Sequence, residues 1–194
     1  LFYHSTMKLS VFYFSGTGNA RQGAFWIAGA AGEENLLQKP HAIEKLRGTK
    51  PVIEPGSSVA IVYPTHGFNA PPLVLSFLFK MPRAKNNRVL LMNTRAGMKL
   101  WKWFMPGLSG VALVLPAFIL LLKGYRISVL RSLDLPSNWI SLHPGLRKKV
   151  VESMFSYYKG WTENIAKKFL SGGKSYWGLL SLPVDLLIAP VSIG

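Results

Sequence analysis

A chain of 194 residues, 49% of them hydrophobic, is long enough for one α/β domain with its own core and some length to spare. The absence of cysteine excludes disulfides, thiolate nucleophiles and cysteine-ligated iron–sulfur clusters within these residues. A formal net charge of +15 favours an acidic partner or an anionic membrane surface. Nucleic acid is not expected, because the basic residues are thinly spread and follow no recognition motif.

Met7-Lys8 stands immediately before the first strand and is expected to be the natural start, with residues 1–6 upstream of the fold. With no signal peptide ahead of that strand, a cytoplasmic protein is expected. Leu9 to Phe14 is apolar and aromatic and stops at a Ser-Gly pair, the pattern of a strand buried on both faces of a parallel sheet. From Asn19 the chain reads as a helix, carrying Ala24-Phe25-Trp26-Ile27-Ala28 without a breaker after Gly23. Between strand and helix sits Ser15-Gly16-Thr17-Gly18-Asn19.

A strand-to-helix turn of small and hydroxylated residues suits a phosphate group. The first helical amides have no intrahelical partner. The glycines permit close approach and positive φ. Ser15, Thr17 and Asn19 offer side-chain donors, and the helix dipole adds a favourable field. No Lys follows the second glycine and there is no G-x-G-x-x-G, so neither nucleotide fingerprint is present. The loop fits a terminal monophosphate; a ligand-free Gly-rich turn is the plainer alternative.

Further on, Asn35 to Gln38 is expected as a short strand, Pro40 to Arg47 as a small helix, and Ser58 to Tyr63 as a clear strand. Leu73 to Lys80 reads as a helix behind Pro72, Asn87 to Asn93 and Tyr125 to Leu130 as strands, and Leu146 to Leu170 as a helix with an aromatic core stripe. Alternation of this kind predicts a parallel sheet with right-handed crossovers and a ligand site beyond the carboxyl ends of its strands. The turns expected there are Ser15–Asn19, Pro64–Pro72, Thr94–Gly97 and Leu135–Trp139. Trp103 to Leu122 is uncharged and flanked by Lys102 and Lys123, which by length passes as a membrane span. It links two strands of one sheet, however, so an oversized crossover helix with an apolar outer face is expected. That face needs cover from a partner, a membrane surface or the chain's own end.

Tyr13-Phe14-Ser15-Gly16-Thr17-Gly18-Asn19 resembles the FMN-phosphate loop of flavodoxins, and is most similar to the flavodoxin-like domains fused to bacterial-type ferredoxins. The resemblance covers residues 7–170 and implies an α/β, doubly wound, five-stranded parallel sheet in the order 2-1-3-4-5, with helices on both faces and FMN as cofactor. It places Ser15, Gly16, Thr17, Gly18, Asn19 and Ala20 at the phosphate, although Ala20 stands where many flavodoxins carry Thr or Ser. Thr65, His66, Gly67, Phe68 and Asn69 would lie along the isoalloxazine, and Gly67 would supply the backbone that answers protonation of its N5. Phe68 and Trp139 are the aromatics placed to stack on the ring, with an ordinary core or surface role as the alternative for each. His66 either donates to the ring or faces solvent. From the next strand end, Thr94, Arg95, Ala96 and Gly97 complete the set; Arg95 has phosphate, a partner or plain solvent as its three readings. Residues 171–194 are expected to be an apolar extension cut from a longer chain, with a ferredoxin domain to follow.

No His–carboxylate pair, metal cluster or nucleophile arrangement stands out, so no catalytic residue and no metal ligand is assigned. An electron carrier, or the flavin module of a larger oxidoreductase, is expected, with an acidic redox partner or the fused ferredoxin domain and peripheral membrane contact through Trp103–Leu122. An NAD(P)H- or quinone-dependent FMN reductase is one alternative; a membrane-associated binding module without flavin is another. From Pro55 to Leu133 there is no acid, while Lys80, Arg83, Lys85, Arg88, Arg95, Lys99, Lys102, Lys123, Arg126 and Arg131 all fall there. That stretch builds most of the expected site, so its field is expected to favour an anionic reduced flavin.

Overall fold

The computed structural model describes residues 8–37, 39–100, 103–136, 146–179 and 183. Six strands, β1 (Leu9–Tyr13), β2 (His41–Ala42), β3 (Ser58–Pro64), β4 (Arg88–Leu100), β5 (Trp103–Met105) and β6 (Arg126–Pro136), alternate with α1 (Asn19–Ala31), α2 (Pro72–Lys80), α3 (Val114–Leu122) and α4 (Lys148–Leu170). Five of the strands form a parallel sheet in the order β2-β1-β3-β4-β6, which is 2-1-3-4-5 when parallel strands alone are counted. β5 folds back antiparallel on the far end of β4.

The period-2 geometry of the strands divides their side chains between two cores. Val59, Ile61 and Tyr63 of β3 point to the face covered by α2 and α3, where they meet Val74, Phe77, Leu78 and Leu120. Ala60 and Val62 point to the face covered by α1 and α4, among Ala24, Ile27, Ile165 and Phe169. The aromatic stripe of α4 is core, as expected: Met154, Tyr158, Ile165 and Phe169 are buried. Arg88 ties the far end of α4 to the sheet, donating to the carbonyls of Phe169 (3.1 Å) and Gly173 (2.9 Å) and to Ser128 Oγ (3.0 Å). The chain beyond α4 then runs along β6, where Ser175 accepts from the Leu130 amide at 2.9 Å.

Four local expectations are corrected. Residues Glu33–Asn35 form a 3₁₀ turn rather than opening a strand, because the Asn35 backbone amide turns back to the Gly32 carbonyl (3.2 Å) and its side-chain Nδ2 donates to the Ala31 carbonyl at the end of α1 (2.7 Å). Leu36 makes a single bridge to Leu9, the sheet's outer strand comes later at His41–Ala42, and Gln38 lies outside the described residues. Thr94–Gly97 is not a turn. β4 continues through it, paired with β6 as far as Gly97 opposite Pro136. The glycine permits this, since a Cβ there would come within 2.6 Å of Asp134 Cβ. Leu135 and Pro136 likewise end a strand; Trp139 lies outside the described residues.

The apolar stretch Trp103–Leu122 is not one oversized helix either. It opens with β5, crosses a loop and only then forms α3, nine residues long. Gly107 and Gly110 explain the loop: each packs so tightly on backbone that a Cβ would collide, with the Ala96 carbonyl oxygen and the Phe68 carbonyl oxygen respectively. A helix through these residues would abolish both contacts. The apolar outer face expected of the helix is present, with Phe118, Leu121 and Leu122 exposed. Among the described residues no helix is long and apolar enough to cross a membrane.

Burial gives the fold a dependence on alkaline pH. It pushes the Tyr125 hydroxyl up to about 12 and raises Tyr63 and Tyr158 further, the latter helped by the nearby charge of Asp134. Unfolded tyrosines titrate near pH 10. A neutral acid whose pKa is raised by folding contributes its full stability below the unfolded value and loses it as pH climbs toward the folded one. Stability is therefore expected to hold up to about pH 10 and to fall between there and about pH 12. Tyrosinate absorbance followed alongside circular dichroism checks this; the buried hydroxyls should ionise only as the fold is lost.

Candidate functional site

At the carboxyl edge of the sheet the chain leaves β1 after the Phe14 amide has bonded the Val62 carbonyl (3.0 Å). The turn into α1 is held from within: Ser15 Oγ accepts the Gly18 amide at 3.0 Å, and Gly18 takes φ +100°, a conformation glycine adopts freely. The first intrahelical bond runs from the Gln22 amide to the Gly18 carbonyl (2.9 Å), so the amides ahead of it have no acceptor within the helix. Nothing lies within 4 Å of where a Cβ at Gly16 or Gly18 would stand, so bare backbone faces open space. Asn19 also ties two elements together. Its Nδ2 donates to the Pro136 carbonyl at 3.0 Å, pinning the start of α1 to the end of β6.

The opposite wall is the turn after β3. His66 and Asn69 exchange both backbone hydrogen bonds (2.8 and 2.9 Å) around Gly67 and Phe68, whose φ values are +52° and +60°. Positive φ at both central residues is the requirement of a type I′ turn. Phe68 is a poor residue for it: the left-handed region costs a residue with a Cβ about 1–2 kcal/mol. The strain is held by the 106–111 segment, where the Val111 amide donates to the Phe68 carbonyl at 2.8 Å and Gly110 presses against the same group. The turn is also tied to β4, through the Thr65 amide to the Thr94 carbonyl (2.8 Å) and Asn93 Nδ2 to Thr65 Oγ1 (2.7 Å). His66 stands edge-on to Phe14, ring centroids 6.2 Å apart.

Beneath the cleft, Arg95 and Asp134 form a two-point ion pair, Nε to Oδ1 at 2.7 Å and Nη2 to Oδ2 at 3.2 Å, with side chains only 9% and 11% exposed. Asp134 Oδ1 also accepts the Gly107 amide at 2.8 Å. Ser109 Oγ meets Asn93 Nδ2 (3.1 Å), Arg95 Nη1 (3.3 Å) and Ser132 Oγ (3.3 Å). The Pro106–Gly110 loop is thus the brace that locks β4, β6 and the 66–69 turn together. Of the three readings left open for Arg95, surface solvation is excluded.

The resulting cleft has a volume of about 350 Å³, within the range of small-molecule sites. It brings together Ser15, Gly16, Thr17, Asn19, Ala20, Thr65, His66, Thr94, Arg95 and Ala96, with Pro64 and Pro136, which lie in segments expected at this edge without being assigned a binding role. Gly18 shapes the loop from behind. Gly67, Phe68 and Asn69 form the turn beside the lining, and Gly97 packs on Asp134. A second hollow of about 320 Å³ lies between residues 43–49 and α2, lined by Leu46, Leu73 and Phe77 among others, with no loop of free amides.

Of the ten basic residues of the acid-free stretch, six lie away from this cleft. Arg88 and Arg126 begin their strands, Lys80 ends α2 and Lys123 follows α3, so these charges, with Arg83 and Lys85, sit at the amino edge of the sheet. From Arg88 to Thr94 is six strand residues, about 20 Å at 3.3 Å each. That exceeds a screening length of about 8 Å at physiological salt. Arg95, the basic side chain among the described residues lining the cleft, is neutralised by Asp134, and Arg131 stacks on Trp161 at 5.0 Å on the α4 side.

The fold is flavodoxin-like. Rubredoxin oxygen:oxidoreductase from Desulfovibrio gigas matches with a TM-score of 0.53 and 14% identity, over 85% of this chain and 36% of its own. The chain therefore spans about a third of that protein. The azoreductase AzrA matches with a TM-score of 0.50 and 11% identity, over 82% of this chain and 99% of its own. A flavodoxin from the domain Archaea aligns at 17% identity over 84% of this chain and 98% of its own, with a TM-score of 0.46. No protein-family model matches the sequence, and no curated protein matches it.

Proposed function

We propose that the chain is an FMN-binding electron-transfer module, with the phosphate held by Ser15–Ala20 and the flavin ring lying toward Thr65, His66 and Thr94–Ala96. The observation that carries this reading is the loop itself: exposed backbone at Gly16, hydroxyls at Ser15 and Thr17, and the start of α1 at Asn19 and Ala20 all open on one cleft at the carboxyl edge of a doubly wound sheet. That is where such sheets receive a phosphate-bearing ligand. A bound flavin would supply the redox chemistry.

The chain's own residues bind and orient. Thr17 Oγ1 and the loop amides donate to phosphate oxygens, and the braced 66–69 turn presents a preset backbone to the ring. Among the described residues, the titratable side chains lining the cleft are His66 and Arg95, and Arg95 is paired with Asp134. No acid–base couple is therefore poised among the described residues of the lining, which favours an electron carrier, or the flavin module of a larger oxidoreductase, over a reductase that moves protons on a second substrate. The partner on this reading is a redox protein, with a fused ferredoxin domain the arrangement the motif suggests.

Absorption spectra and mass spectrometry of the cofactor released from purified protein test the reading. FMN is the expected result; FAD, or no flavin affinity after reconstitution, overturns it. Within the loop, Thr17→Val removes a donor and sets apolar bulk against an anion. Losing a hydrogen bond to a charged group costs about 1.5–3 kcal/mol. FMN affinity, followed by flavin fluorescence, is expected to fall at least about ten-fold.

A further inference from the structure

The charges that miss the cleft are gathered elsewhere, together with four of the large apolar side chains left in solvent. On α3, Phe118 (56% exposed), Leu121 (55%) and Leu122 (66%) follow one another at i, i+3 and i+4, and so share one face. On α2, Phe79 is 64% exposed in the last turn. The two helix ends are joined: Lys123 Nζ donates to the Met81 carbonyl (2.5 Å), the Ala84 amide to the Lys123 carbonyl (2.9 Å), and Tyr125 Oη to the Pro82 carbonyl (3.0 Å). The exposed side chains thus stand on adjacent elements at the amino edge, ringed by Lys80, Arg83, Lys85 and Arg126, all exposed. Neither helix nor the segments joining them to the sheet contain an acid, the whole span Pro55–Leu133 having none. Glu54, whose carbonyl accepts from Asn87, is the acid beside this edge.

We propose that this amino edge docks on an anionic lipid bilayer. Phe79, Phe118, Leu121 and Leu122 enter the headgroup region while the surrounding lysines and arginines meet lipid phosphates and carboxylates. A shallow apolar face rimmed by basic residues is the recognised pattern of interfacial binding. The charge arrangement favours lipid over a protein partner, because an unbroken basic rim matches a laterally uniform negative surface and offers no mixed-sign pattern to read a particular partner. The described part of the C-terminal stretch, through Leu179, runs along β6 and leaves these side chains exposed. Docked this way, the protein holds its cleft at the opposite edge of the sheet, open to the aqueous side. The proposal does not depend on flavin binding.

Co-sedimentation of the full chain, with and without added FMN, on phosphatidylcholine vesicles and on vesicles containing phosphatidylserine provides the test. Expected is binding to the anionic vesicles, weakened at least ten-fold by Leu121→Ser/Leu122→Ser, by Arg83→Glu/Lys85→Glu, and by raising salt, and indifferent to FMN. These substitutions lie on exposed positions, and thermal melts confirm that each variant is folded. No binding to phosphatidylserine vesicles at low salt would overturn the proposal, as would equal binding to neutral vesicles. Loss of a dimer in Leu121→Ser/Leu122→Ser, seen by sedimentation without any lipid binding, would assign the face to a second copy of the chain and equally overturn it.

Discussion

Asp134→Ala is expected to lower the melting temperature by on the order of 10 °C, the steepest single loss among side-chain truncations at the site. The substitution leaves the Arg95 guanidinium, nine-tenths buried, without its counter-charge, and strips the Gly107 amide of its acceptor. Breaking a buried pair from one side costs about 3–5 kcal/mol. A chain of this size loses about 2–4 °C per kcal/mol. Replacing both members, as in Arg95→Met/Asp134→Leu, is expected to cost less than Asp134→Ala alone, because no uncompensated charge remains. Thermal unfolding followed by circular dichroism on the three variants checks the ordering. Equal, small losses in all of them would mean the pair is solvated in solution.

Gly110→Ala is expected to disable the cleft without touching a residue that lines it. Gly110 has φ +55°, and a Cβ there would collide with the Phe68 carbonyl oxygen. The left-handed backbone alone costs about 1–2 kcal/mol for a residue with a Cβ, and the collision can be relieved only by pushing the 66–69 turn away from its brace. FMN affinity should fall by at least about ten-fold, a loss of about 1.4 kcal/mol, while the two cores on the sheet faces stay packed. Flavin titration of the variant against a far-ultraviolet spectrum of its fold separates the two effects. Gly29, exposed on α1 with nothing within 4 Å of its would-be Cβ, serves as the control: Gly29→Ala should leave affinity unchanged.

The sheet was legible because its inner strands announce themselves by apolar composition: Leu9–Tyr13 and Ser58–Pro64 fall within a residue of expectation. The turn of Ser15–Asn19 was legible for the same local reason, glycines and hydroxyls in place of side-chain bulk. What failed was decided by distant partners. Thr94-Arg95-Ala96-Gly97 has the composition of a turn, yet it is strand because β6, some forty residues on, supplies hydrogen bonds along its whole length and Gly97 lets Asp134 close over it. An apolar run such as Trp103–Leu122 carries no period that tells strand from helix. Its glycines at 107 and 110 mark the break only once Ala96 and Phe68 are seen against them. The Arg95–Asp134 pair had no local signal at all. The basic residues, finally, were countable but not placeable: only the helix and strand ends show that Lys80, Arg83, Lys85, Arg88, Lys123 and Arg126 gather at the edge remote from the cleft.

The central claim is that Ser15–Ala20 grips a phosphate attached to a flavin, and comparison of FMN with riboflavin on the same protein tests it most directly. The two ligands share the ring and differ in the phosphate. Two hydrogen bonds to that charged group, at about 1.5–3 kcal/mol each, would amount to a preference for FMN of at least about a hundred-fold, largely lost in Thr17→Val. Equal affinity for riboflavin and FMN, or affinity for neither, would contradict the account.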